Sequence, residues 1–214
     1  MSTLVIMARY PAAGEVKTRL AGRFGAQGAC DLYRAFIEDL SARFANQPRR
    51  LIWMYHPPER DFAALLPGSA RCLPQRGADL GERMYNCFRQ LCRQDSPVIM
   101  IGADVPHIRG EWIDEAEQSS RDNDVVLGPS ADGGYYLIAM RQAHDVFRGI
   151  EMGTPNVHSQ TVAKAADQNL RVHLLPACFD IDEPDDVRRL QGQLDSDPTL
   201  PRLPATSTVL QRLC

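Results

Sequence analysis

The sequence predicts an α/β protein built on a mainly parallel sheet, with helices on both faces and one reversed strand. Two observations carry this. Short apolar runs rich in β-branched residues alternate with longer stretches of helical period, a pattern of parallel sheets covered on both sides. The order then breaks at 124–140, where two strand-like runs are joined by a short loop. A parallel crossover needs about a dozen residues or more, so this pair is either antiparallel or split between different parts of the sheet.

The strand runs are 3–8, 50–56, 97–102, 124–128, 134–140 and 171–175. The helical stretches are 26–46, 59–65, 79–94, 109–121, 156–169 and 184–194. In the first helix Leu32, Phe36, Leu40 and Phe44 recur every four residues with Ile37 beside them. That spacing makes one buried stripe. From Ser196 onward Pro, Thr and Ser are frequent and periodicity is weak. A domain over 1–195 is therefore expected, followed by a tail at 196–214 that wraps the surface or is mobile.

The 214 residues suffice for one large α/β domain or two small ones. With 44% hydrophobic and 24% charged residues, the composition is that of a globular protein with a sizeable core. A formal net charge of −3 and the lack of a Lys/Arg-rich block give no reason to expect a nucleic-acid partner. No run approaches the roughly 18 apolar residues of a membrane span, and the first apolar run is too short for a signal peptide. A cytoplasmic protein is expected, with oligomeric state open. Cys30, Cys72, Cys87, Cys92, Cys178 and Cys214 show no zinc or C-x-x-C spacing, so they are read as structural or incidental thiols.

Four motifs fall at predicted strand ends, and ligands of open α/β sheets bind at the carboxyl ends of strands. After the first strand, 8–20 read ARYPAAGEVKTRL. Ala8 and Gly14 let backbone approach a ligand, and Arg9, Lys17 and Arg19 can neutralise phosphate oxygens. The alternative is a solvated loop with surface cations; the Walker A spacing is absent. At 75–83, QRGADLGER, Asp79 and Glu82 form a capping box. Gln75, Gly77 and Arg83 are unexplained by it, and the free N–H groups around Gly81 could face a ligand.

The apolar run PVIMI at 97–101 ends at Gly102-Ala103-Asp104-Val105-Pro106. Asp104 either holds a divalent cation or caps a helix beginning near Pro106. Asp132, Gly133, Gly134 and Tyr135 form an acid-and-glycine turn against which a sugar or phosphate could lie. In FDIDEPDD at 179–186, Asp182 suits the N-cap of the helix at Pro184, leaving Asp180 over. Alternate residues of a strand face opposite ways, so one of Asp180 and Asp182 is expected to reach the site. With Asp104 it would make an oxygen-only site suited to Mg²⁺ or Mn²⁺.

The set ARYPAAGEVKTRL, QRGADLGERM, GADVP, GPSADGGYYLIAM and FDIDEPDDV resembles the GT-A-fold nucleotide-diphospho-sugar transferase superfamily. Within it the chain is similar to the radical-SAM/selenodomain-associated, glycosyltransferase-like branch. The resemblance implies a Rossmann-like sheet with one antiparallel strand and a nucleotide over the first strand. Arg9, Lys17 and Arg19 would lie near its phosphates, and Asp104 would fill the metal-aspartate place. That place is often Asp-x-Asp; here the second acid is missing, a spelling nearer to the nucleotidyltransferase relatives.

The first expectation is thus a metal-dependent glycosyltransferase-like enzyme passing a sugar from a nucleotide-diphospho-sugar to a small acceptor. Asp104 and Asp132 would be its catalytic aspartates, Asp104 through the metal and Asp132 by positioning or deprotonating the acceptor. Nucleotide contacts would come from Ala8, Arg9, Lys17, Arg19, Gln75, Gly81 and Arg83, and acceptor contacts from Gly133, Gly134 and Tyr135. The metal, Mg²⁺ or Mn²⁺, would sit on Asp104 and Asp182, with Asp180 as the alternative. The second expectation is nucleotidyl transfer from an NTP to a phosphorylated small molecule, which suits the cationic loop. The third is a nucleotide-binding protein without turnover.

Overall fold

The computed structural model describes residues 1–66 and 70–213. Its strands are β1 (Thr3–Arg9), β2 (Arg50–His56), β3 (Arg71–Pro74), β4 (Val98–Gly102), β5 (Val125–Pro129), β6 (Tyr135–Met140) and β7 (Val172–Leu174). Its helices are α1 (Thr18–Phe44), α2 (Leu80–Leu91), α3 (Gly110–Ser119), α4 (Val157–Asp167), α5 (Pro184–Ser196) and α6 (Pro204–Leu213). One seven-stranded sheet runs β3-β2-β1-β4-β6-β5-β7. β6 is antiparallel to β4 and β5, and the other neighbours are parallel. The break at 124–140 is thus a hairpin inside the sheet, and β6 is the reversed strand.

Period-2 alternation divides the core. Leu4, Ile6 and Ala8 of β1 face a cluster with Leu32, Phe36 and Leu40 of α1, Ile113 of α3 and Leu190 of α5. Val5 faces the other side, with Met84, Cys87 and Phe88 of α2 and Ala165 of α4. The Leu32–Phe44 stripe is therefore core, as its spacing predicts. Burying a side chain such as Phe36 completely is worth about 1.5–3 kcal/mol.

Four details differ from the sequence reading. β3 is an edge strand of only four residues with an arginine and a proline, so it carries little β signal. The stretch at 59–65 contains only a 3₁₀ turn, Ala63–Leu65. α1 begins at Thr18, eight residues early, and kinks at Gly25, whose φ of 72° is open to glycine at little cost. The segment after Ser196 is not a loose tail. It ends in α6, whose Thr206 and Leu210 are buried with Leu203. Gly28 lets α6 approach α1: a Cβ there would meet Leu213 Cδ2 at 2.9 Å. Cys30, Cys87 and Cys178 are buried free thiols, and Cys72 and Cys92 are half-buried ones. Cys214 lies outside the described residues. No helix among the described residues is long and apolar enough to cross a membrane.

Candidate active site

A cleft of about 760 Å³ opens at the carboxyl ends of β1 and β4. The β5–β6 turn and the segment leading to α5 close its far side. Because β6 is reversed, its first residue, Tyr135, reaches this same edge. The lining includes Ala8, Arg9, Lys17, Arg19, Gln75, Arg83, Asp104, Asp132, Gly134, Tyr135, Asp180 and Asp182. Residues from motifs more than 160 positions apart are thus brought to one place.

The loop after β1 turns Lys17 inward. Gly14 is at φ 82°, and Lys17, the residue before α1, is left-handed at φ 47° and ψ 44°, an uncommon conformation for a side-chain-bearing residue. Its side chain is only 7% exposed. Nζ lies 2.5 Å from Asp182 Oδ1 and 3.5 Å from Asp104 Oδ2. Burial alone would lower the lysine pKa, but Asp104 and Asp182 outweigh it and hold it above its ordinary value. Arg19 instead stays at the surface, 3.8 Å from Glu183. Tyr33 of the core stripe also belongs here: its hydroxyl accepts the Arg9 N–H at 3.1 Å, and Lys17 Nζ is 5.7 Å from its ring. Nothing in its spacing separates it from the packing residues around it.

Asp104 caps no helix; α3 starts only at Gly110. Its carboxylate folds back over Gly102, where a Cβ would meet Oδ1 at 2.2 Å. Gly102→Ala should therefore displace the carboxylate and lower turnover on the order of 10- to 100-fold, the scale of an ångström-sized misplacement. Steady-state kinetics beside a thermal melt test this; unchanged kcat would show that the carboxylate position is immaterial.

The acid ahead of α5 is reassigned. Glu183, not Asp182, is the N-cap, and Asp186 Oδ2 accepts the N–H groups of Asp182 and Glu183 at 3.1 and 2.8 Å. Asp182 is thereby free to engage Lys17. Asp180 is mostly buried, and its Oδ1 has no partner among the described residues. Burial, followed by Asp104, Asp132 and Asp182, pushes its pKa up to about 8. Asp132 accepts the Gly134 N–H at 2.9 Å, fixing the turn.

These donors fit a hard divalent cation: all are carboxylate oxygens, and the orphaned Asp180 Oδ1 lacks a positive partner. Among the described residues no three acids, histidines or cysteines are grouped as a ligand set. An Mg²⁺ here would take one or two carboxylates and complete its shell with water and phosphate, as Mg²⁺ commonly does.

In the second motif the capping reading holds for Asp79, which accepts the Glu82 N–H at 2.8 Å; Glu82 reaches back to the Ala78 N–H. Gln75 Nε2 is spent on the carbonyls of Ala8 and Met54, bracing the strand ends. Arg83 Nε binds Gly77 O at 3.0 Å. Gly81 and Gly133 are absent from the lining. Gly81 packs near Met152 and Phe147, and Gly133, at φ 88°, lies so close to Pro155 that a Cβ would overlap its carbonyl. The Tyr135 hydroxyl is buried, and burial raises its pKa.

His107 supports the segment from beneath. Its Nε2 is 3.3 Å from Cys178 Sγ, and its ring centroid is 4.4 Å from that of Phe179. Burial, then Arg189 and Arg43, push its pKa from 6.5 down to about 4. Below pH 6.5 the unfolded chain takes up a proton that the folded chain refuses until about pH 4. The His107 contribution to stability is therefore full above pH 6.5 and falls as the pH drops. In urea melts wild type should lose about 1 kcal/mol relative to His107→Phe between pH 6.5 and 5.5. An equal loss in both proteins would refute the assignment.

A solved structure assigned to the nucleotide-diphospho-sugar transferases, from Desulfovibrio desulfuricans G20, is 30% identical. It covers 99% of this chain and 94% of its own, with a TM-score of 0.88. The 3-phospho-D-glycerate guanylyltransferase of Phenylobacterium zucineum (strain HLK1) is 27% identical over 186 residues, 80% of this chain and 82% of its own. The 2-phospho-L-lactate guanylyltransferase of Methanocaldococcus sp. (strain FS406-22) is 26% identical over 121 residues, 55% of this chain and 51% of its own. Residues 39–154, which run from the last turns of α1 past β6 to the segment before α4, match the family described as "Uncharacterized protein conserved in bacteria (DUF2064)", and the chain belongs to that family.

Proposed function

We propose that this transferase moves a nucleotidyl group from a nucleoside triphosphate to a phosphorylated small molecule. The carrying observation is the buried Lys17, at the head of a cleft that also holds Arg9, Arg19 and Arg83 opposite four aspartates. A triphosphate needs such an array of cations more than a diphosphate-sugar does. Similarity to two guanylyltransferases whose names specify phosphorylated acids supports the reading. Nucleotidyl transfer thereby overtakes glycosyl transfer, the first expectation. Glycosyl transfer is the second reading, favoured by the 30%-identical nucleotide-diphospho-sugar transferase-like structure. Assignment to the radical-SAM/selenodomain-associated branch rests on the sequence motifs.

In the proposed reaction a phosphate oxygen of the acceptor attacks the α-phosphorus. The bond from the α-phosphorus to the bridging oxygen breaks, and pyrophosphate leaves with the electron pair. Lys17, Arg9 and Arg19 would neutralise its charge, and the Asp132 turn would position the acceptor. Mg²⁺ or Mn²⁺ on Asp104 and Asp180, with Asp182 beside them, would polarise the phosphate oxygens. Asp180 is preferred over Asp182 because Asp182 already has Lys17 as its partner. The test mixes purified protein, Mg²⁺ or Mn²⁺, each NTP, and 3-phosphoglycerate or 2-phospholactate, and measures pyrophosphate. Acceptor-dependent release from one NTP is expected. Turnover of a nucleotide-sugar with no pyrophosphate from any NTP would replace this reading with glycosyl transfer.

A further inference from the structure

Lys17 already holds Asp104, a carboxylate assigned to the metal, and Asp182 beside it. Its Nζ shares both carboxylates, at 3.5 and 2.5 Å. A lysine ordinarily keeps its ammonium in water. Here a left-handed backbone directs it inward, and the Tyr33 ring faces it at 5.7 Å. Asp180, alongside, keeps an unpartnered oxygen. One buried cation thus serves a site with more carboxylates than it can satisfy.

We propose that Lys17 is an internal counter-cation that competes with the divalent metal until a nucleotide draws it away, so that metal and nucleotide enter together. The proposal rests on the nucleotidyl-transfer reading only for the identity of the phosphate ligand. Asp104 cannot serve the ammonium and a divalent cation at once without bringing two positive charges together. A bound phosphate chain gives Lys17 new anionic partners, and its four-carbon stem lets the head swing while the backbone stays fixed. The same phosphate supplies the oxygens that the protein's own ligand set lacks. Each ligand then raises the affinity for the other by the same factor.

The test is Mn²⁺ binding, read by electron paramagnetic resonance with no nucleotide present. Wild-type protein should bind weakly. Lys17→Met should bind more tightly, on the order of tenfold, within the usual range of such couplings. Lys17→Arg, which keeps the cation, should stay near wild type. Arg19→Met removes a cation that, among the described residues, pairs only with exposed Glu183, and it should change little. Equal affinity in wild type and Lys17→Met overturns the proposal, as does an equal gain in Arg19→Met. If Lys17→Met does not fold, wild type decides: millimolar Mn²⁺ alone should leave its Tm unchanged, and a rise of several degrees overturns the proposal. None of these readings needs turnover. A protein that releases no pyrophosphate while Lys17→Met gains Mn²⁺ keeps the counter-cation and loses nucleotidyl transfer.

Discussion

Replacing Asp104 with asparagine should lower pyrophosphate release at saturating metal on the order of 10²–10³-fold, the cost of removing one group that stabilises developing charge. Asparagine keeps the shape of the side chain against Gly102 and changes only its charge. The cleft would lose one of its four aspartates, and Lys17 would keep Asp182 at 2.5 Å. The fold should survive, because Asp104 is about a third exposed and its pair with Lys17 is the longer of the two. The measurement is initial rate against Mg²⁺ concentration for both proteins, with a melt as control. A variant that recovers full turnover at high Mg²⁺ would show that Asp104 only helps the metal to bind. One that matches wild type at every concentration would remove Asp104 from the site.

The positions of these acids were legible because strand ends are legible. PVIMI reads as a strand buried on both faces, and the residues after it must lie at the carboxyl edge. The reversed strand was equally visible, since the short loop at 129–133 rules out a parallel crossover. The capping chemistry was only half legible. Asp182 and Glu183 both precede Pro184, and either can cap; the tertiary contact with Lys17, 165 residues away, selects between them. The inward turn of Lys17 also left no trace, because a left-handed lysine is held by its surroundings rather than favoured by its type. The glycines show the reverse case. Gly81 and Gly133 looked like ligand-facing positions, but close packing on Met152 and Pro155 accounts for them.

The last helix was missed for a reason that can be tested. Asp39 lies on α1 within the apolar stripe and is 2% exposed. Its carboxylate accepts the N–H groups of Ala205 and Thr206 at 3.0 and 2.8 Å, and the Thr206 hydroxyl at 2.6 Å. A helix start leaves its first N–H groups without intrahelical partners. Here the cap comes from another helix, so no capping signal stands beside Pro204. A buried acid in the stripe was the one clue, since charged residues are almost never fully buried unless paired. Asp39→Ala should destabilise the protein by about 3 kcal/mol, because buried donors left unsatisfied cost about 1–3 kcal/mol each and do not add fully. The Tm should fall by roughly 10 °C for a chain of this size. Asp39→Asn keeps one acceptor and should lose about half as much. Asp39 is absent from the cleft lining, so kcat measured well below the new Tm should be unchanged. A Tm within a degree of wild type in Asp39→Ala would mean that packing of Leu203 and Leu210 holds α6 without its cap.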